Sequence, residues 1–220
     1  MSKKDAQVVV DMLRKEYGGS ETALFFETPH QMLVATILSA QCTDERVNKV
    51  TPGLFKKYKS VEEFASAKQE ELEQNIRSTG FFRNKARNII GASRKILEDY
   101  GRKVPRTMEE MLTLPGVARK TANVVLHNAY RIVEGIVVDT HVGRLSRRLG
   151  WSKEKNAEKV EKDLMKIIPR DDWGNIAYWL IDHGRAVCKS QKPVCGECFL
   201  KEVCPSAGKF DERGRWVGVK

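Results

Sequence analysis

The chain has 220 residues, 41% hydrophobic and 31% charged, with 39 Lys and Arg against 29 Asp and Glu for a net charge of +10. That length can bury a real core in one large or two small domains, and the apolar content excludes a disordered chain. The basic excess points to a polyanionic partner, nucleic acid first, because bound cations release counterions from phosphates.

The opening MSKKDAQVVV lacks the apolar core of a secretion signal, and no stretch is long and apolar enough to span a membrane. A cytoplasmic, nucleoid-associated protein that acts as a monomer is expected. Apolar residues at three-and-four spacing predict helices over residues 31–39, 44–57, 70–77 and 84–100. In the last of these Ala86, Ile89, Ile90, Ile96, Leu97 and Tyr100 form one face, while Arg87, Arg94, Lys95 and Glu98 hold the other. The first helix runs into Leu38-Ser39-Ala40-Gln41, followed by Cys42, a lone cysteine that reads as a small buried hydrophobe. Before the helix at 84–100 stands Ser78-Thr79-Gly80-Phe81-Phe82, whose aromatics read as a core pair, flanked by Arg83, Lys85 and Arg87. Thr107 and Glu110 make a capping box for a brief helix that Pro115-Gly116 stops.

The run Leu114-Pro115-Gly116-Val117-Ala118-Arg119-Lys120-Thr121-Ala122 is a sharp turn leading into a helix over residues 117–130. Such a turn points unpaired backbone N–H groups outward, where they can hold a phosphate without reading a base. A bare Pro-Gly corner between helices is an ordinary feature. Arg119 and Lys120 beside it favour a DNA-binding helix-hairpin-helix. Further on, Val138-Asp139-Thr140-His141-Val142 places an acid at the start of a helix, a position that suits Asp as an N-cap. More helices are predicted over residues 142–149, 156–168 and 175–187. Residues 136–138 read as a possible strand with nothing to pair with, so the fold class is all-α.

Four cysteines follow within seventeen residues: Cys188, Cys195, Cys198 and Cys204, separated by six, two and five residues. Thiolates suit iron–sulfur clusters and zinc, both thiophilic acceptors. Paired disulfides fit poorly with a cytoplasmic location, and a zinc site commonly uses two Cys-x-x-Cys knuckles where only Cys195 and Cys198 make one. The spacing favours an iron–sulfur cluster, with zinc the alternative. The tail over residues 206–220, with several glycines among charges, is expected to be flexible.

The runs LPGVARKTANVV, VDTH and LSAQ, together with the cysteine array after HGRAVC, resemble the endonuclease III family of DNA glycosylases over residues 8–205. The resemblance implies two helical domains with a DNA groove between them, a boundary that composition alone does not reveal. One is a six-helix barrel with the hairpin, over residues 23–133; the other joins residues 1–22 to 134–205. It implies Lys120 as nucleophile, Asp139 as its activating acid or base, and the four cysteines as ligands of a 4Fe-4S cluster. It makes Gln41 and Phe81 the two sides of a plug that fills the gap left by an extruded nucleotide. Leu114, Gly116, Ala118, Arg119, His141, Lys189 and Lys192 are the further expected DNA contacts. The implied partner is double-stranded DNA with damaged pyrimidines or abasic sites. Two departures stand out: an aromatic residue at 81 in place of an aliphatic wedge, and Ala118 where the hairpin often has glycine.

The chemistry suits these residues. Lys120 falls in the first turn of the predicted helix, beside Arg119. The free amine can displace a base at C1′ and form a Schiff base that permits β-elimination of the 3′-phosphate. Asp139 can accept the amine proton and offset positive charge on the sugar. Two other readings stand beside this one: an adenine- or thymine-mismatch glycosylase of the same superfamily, and a noncatalytic redox-sensing DNA-binding module. A lysine at position 120 argues against the adenine enzyme, and a binding module gains nothing from it.

Overall fold

The first helix, α1 (Lys3–Tyr17), shows the pattern that builds the chain: Ala6, Val9, Val10 and Leu13 fall on one face and all four are buried. The computed structural model describes residues 3–211, 213, 214 and 217. The chain divides into two compact units, Thr22–Glu134 and a second made of Met1–Glu21 with Gly135–Lys220. Among the described residues the regular structure is helical, and residues 136–138 form no strand. Ile136 and Val138 instead bury their side chains in the core of their own unit.

The unit Thr22–Glu134 holds α2 (Pro29–Ser39), α3 (Asp44–Lys57), α4 (Val61–Ala65), α5 (Gln69–Ile76), α6 (Phe82–Asp99), α7 (Met108–Met111) and α8 (Arg119–Tyr130). Helix α2 is apolar on every side and is buried from Met32 to Leu38, with α3, α6 and α8 packed around it. A fully buried leucine such as Leu33 is worth about 2–5 kcal/mol against alanine. Helix α6 lays Ala86, Ile89, Ala92 and Ile96 against α4 and α5. Side chains set the starts of four of these helices: Thr28, Thr43, Ser60 and Thr107 each accept a hydrogen bond from the backbone N–H three residues on. At Thr107 the N-cap half of the expected capping box forms, Oγ1 accepting from Glu110 N at 3.3 Å, while Glu110 Oε2 accepts from the Thr107 hydroxyl at 2.9 Å.

The other unit packs α11 (Ile176–Ala186) against α1 and against α9 (Thr140–Arg148), with α10 (Ala157–Ile167) touching α1 and α9. Trp179, Leu180, Leu145 and Leu164 fill its core. Asp172 lies in a short turn before α11 and receives the Arg14 guanidinium of α1. The segment expected as a flexible tail is held at its start. Ser206 is buried and donates to the Arg148 carbonyl at 2.6 Å, the Phe210 ring lies 5.0 Å from the Arg148 guanidinium carbon, and Gly214 accepts from Lys192 N at 3.1 Å. Residues 212, 215, 216 and 218–220 of that tail lie outside the described residues.

Candidate active site

The hairpin is built from α7, the turn over residues 112–118 and α8. Leu114 is buried in the core; its N–H donates to the Met111 carbonyl and its own carbonyl accepts from Val117 N. Its buried side chain anchors the turn, so what Leu114 can present to a ligand is backbone. Gly116 has φ +76°, and a Cβ there would stand 2.6 Å from Asn88 Nδ2. Glycine is therefore required at 116 on two counts, left-handed backbone and space. Ala118 is the N-cap of α8 with φ −95° and ψ 170°, an extended conformation open to any residue. The departure from glycine at 118 thus costs the turn nothing. No side chain caps α8 among the described residues, so its first N–H groups face outward as the site needs.

Lys120 is the second residue of α8 and is exposed. Its Nζ makes no hydrogen bond or ion pair among the described residues, so the amine is uncommitted. Asp139, in the other unit, is the N-cap of α9, and its Oδ1 accepts from Val142 N at 2.8 Å. The cap uses one carboxylate oxygen only. Oδ2 is left beside the half-buried His141, 3.4 Å from its Nδ1.

Gln41 and Phe81, expected as partners in one task, do meet at one cleft of about 220 Å³ within the unit Thr22–Glu134, together with Lys85, Asn88, Gly116 and Thr121. Both have left-handed backbone, φ 51° at Gln41 and 46° at Phe81. The left-handed turn separates the two aromatics that read as a core pair. Phe81 is 62% exposed, whereas Phe82 packs against the core.

The four cysteines of the array are free thiols that line one apolar cavity with Leu145, Leu149, His183 and Leu200. Among the described residues, no three His, Cys, Asp or Glu side chains converge as ligands of a single ion. Buried Arg148 reaches this cavity from α9. Its Nη1 donates to Cys188 Sγ at 3.2 Å and to the Lys189 carbonyl at 2.7 Å, and its Nη2 to the Ser190 carbonyl at 2.8 Å. Burial pushes the Cys198 and Cys204 thiols up, so thiolates form there only against a positive centre. His183 Nε2 lies 3.6 Å from Cys198 Sγ, and burial lowers its pKa to about 4. It faces the cavity as a neutral ring. A soft donor set, an apolar wall and a cationic hydrogen-bond donor fit an iron–sulfur cluster. Lys189 and Lys192 stand exposed on the same loop.

The sequence of residues 34–170 matches the model of the HhH-GPD superfamily of base excision DNA repair proteins. Endonuclease III of Synechocystis sp. is 57% identical over 205 residues, covering 93% of this chain and 94% of the relative. The chain belongs to the endonuclease III family. Endonuclease III of Bacillus subtilis is 45% identical, with 96% of each chain covered. Among solved structures, a trapped endonuclease III–DNA covalent intermediate superposes with a TM-score of 0.87 at 43% identity, over 93% of this chain and 96% of that one.

Three residues of these sites escape sequence reasoning. Lys85 stands in the sequence between Arg83 and Arg87 as one more cation, yet it is 4% exposed and points inward. Asn88 carries no signal until the fold sets it against Gly116. Arg148 follows Arg144 and Arg147 in the sequence with nothing to set it apart, and only its burial marks it as the anchor of the cysteine loop.

Proposed function

We propose that this member of the endonuclease III family removes oxidised pyrimidines from duplex DNA and then cleaves the strand at the abasic site. The observation that carries this reading is the uncommitted Lys120 amine at the uncapped start of α8, directly after a turn built to hold a phosphate. The Lys120 amine forms a bond to C1′ as the glycosidic bond breaks and the damaged base leaves. Asp139 takes the amine proton through the oxygen that does not cap α9. Opening of the sugar gives an imine, loss of a C2′ proton expels the 3′-phosphate, and water releases the enzyme. Gln41 and Phe81 occupy the helix at the vacated position, which lowers the cost of extruding a paired base.

Cys188, Cys195, Cys198 and Cys204 hold a 4Fe-4S cluster in this reading, supported by their shared cavity and by the Arg148 bond to Cys188 Sγ. Ligation supplies a redox-capable centre and fixes the loop that carries Lys189 and Lys192 against phosphates.

Borohydride reduction in the presence of duplex DNA containing thymine glycol tests the catalytic assignment. The wild type gives a covalent protein–DNA adduct and Lys120→Gln gives none while retaining DNA affinity. Adduct formation by Lys120→Gln at the wild-type rate would move the nucleophile to another amine.

A further inference from the structure

Two loops of the unit Thr22–Glu134, the one ending at Gln41 and the one ending at Phe81, reach their shared cleft with unfavourable backbone. Neither residue is glycine, yet both hold positive φ, at 51° and 46°. Such conformations persist only where the surroundings impose them. What joins the two loops is one side chain. Lys85 Nζ donates to the Leu38 carbonyl, three residues before Gln41, and to the Thr79 carbonyl, two residues before Phe81, both at 2.8 Å. The backbone N–H of the same residue donates to the Phe81 carbonyl at 3.1 Å.

The placement of Lys85 is costly and has no packing rationale. It lies in the first turn of α6, where the helix dipole opposes a cation, and burial lowers its pKa. A methionine would fill the same volume without an ammonium to desolvate. An ammonium offers several donors from a single point, so it can hold two carbonyls from different loops at once.

We propose that Lys85 is a positioning residue for lesion extrusion, a buried clamp that sets the Gln41 and Phe81 loops at a fixed separation so that both sides of the plug enter the duplex together. It touches no substrate. The inference rests on the reading of Gln41 and Phe81 as that plug, and the test separates the two.

The experiment compares single-turnover rates of the full chain on thymine glycol in duplex DNA and on an abasic site in single-stranded DNA, where nothing need be extruded. It uses Lys85→Met, Phe81→Ala and the double variant, with circular dichroism and thermal melting as controls of folding. Lys85→Met is expected to slow the duplex reaction about 10- to 100-fold and to leave the single-stranded reaction within about threefold of wild type. In the Phe81→Ala background the same change should cost far less, because the wedge it positions is already gone. 2-Aminopurine opposite the lesion should lose its fluorescence rise on binding Lys85→Met. Should that variant not fold, Lys85→Arg, which keeps the donors in a bulkier head, replaces it with the same expected duplex-selective loss. Equal losses on both substrates, no loss on either, or full additivity with Phe81→Ala would overturn the clamp. A Phe81→Ala variant with no duplex-selective loss would remove the plug reading itself, and the clamp with it.

Discussion

The guanidinium of Arg14 grips the carboxylate of Asp172 through two parallel hydrogen bonds, Nε to Oδ1 at 3.1 Å and Nη2 to Oδ2 at 2.6 Å. Asp172 is buried and Arg14 is half exposed, so the arginine is what keeps a desolvated carboxylate in place. Arg14→Met should lower stability by about 1–3 kcal/mol, less than for a fully buried pair because Arg14 is screened by solvent. Asp172→Asn in the Arg14→Met background should recover part of that loss. Urea denaturation of the three variants measures both effects, and an unchanged midpoint for Arg14→Met would show the pair to be neutral.

Asp139 serves two tasks that can be pulled apart. Asn caps a helix as well as Asp does, so Asp139→Asn should leave the melting temperature nearly unchanged. It should slow single-turnover base excision about 10²- to 10⁴-fold, since the amide cannot take a proton. Asp139→Ala should add a stability loss of about 1 kcal/mol. Normal excision by Asp139→Asn would leave the residue with the cap alone.

At the hairpin, substitutions at two neighbouring positions should behave in opposite ways. Gly116→Ala forces a Cβ against Asn88 and strains a backbone at φ +76°, with an expected loss of about 1–3 kcal/mol and weaker binding to undamaged duplex. Ala118→Gly relieves no strain, because φ is already −95°, and should change stability by less than about 1 kcal/mol. Melting temperatures and fluorescence anisotropy on an undamaged duplex distinguish them.

Acid should destabilise the chain in part through His30. Burial lowers its pKa to about 4, and its Nε2 pairs with Ser93 Oγ at 2.9 Å. The unfolded chain takes up the proton near pH 6.5 while the folded chain resists it until about pH 4. Stability from this group is therefore complete above pH 6.5 and falls away towards pH 4, by roughly 3 kcal/mol in all. His30→Leu should flatten the stability profile across that window. Ser93 stays satisfied in the variant, because its hydroxyl also donates to the Ile89 carbonyl. An identical pH slope in both proteins would exclude the histidine as the source.

The purified protein should be yellow-brown, absorb near about 400 nm and contain about four iron atoms per chain. Cys195→Ser should bleach it and lower the melting temperature, since ligation and folding of the loop are coupled. Colourless protein with one zinc per chain would refute the assignment.

Much of this was legible in the residues. The period of the helix over 84–100, the Thr107 capping box and the Pro115-Gly116 corner are local signals, and α6, α7 and the hairpin stand where those signals put them. The spacing of the four cysteines is local too, and all four reach one cavity. What stayed hidden depends on long-range packing. Helix α4 has five residues, too few for a period to register, though Val61, Phe64 and Ala65 are buried. Phe81 and Phe82 are chemically alike, and only the left-handed turn sends one out and the other in. Lys85 is indistinguishable from its basic neighbours until Leu38 and Thr79 are brought to its amine.

The unit that contains α1 is split in sequence, with Thr22–Glu134 set between its two parts. During synthesis α1 is made well before α10 and α11, on which its buried face rests. At ribosomal speeds of about 5–20 residues per second the face of Val9, Val10 and Leu13 waits roughly ten to thirty seconds for its cover. The segment Thr22–Glu134 emerges whole in that interval, with its own core. The nascent chain thus carries an uncovered apolar helix beside a segment that already has its core, and α1 stays prone to aggregation until α11 clears the ribosome.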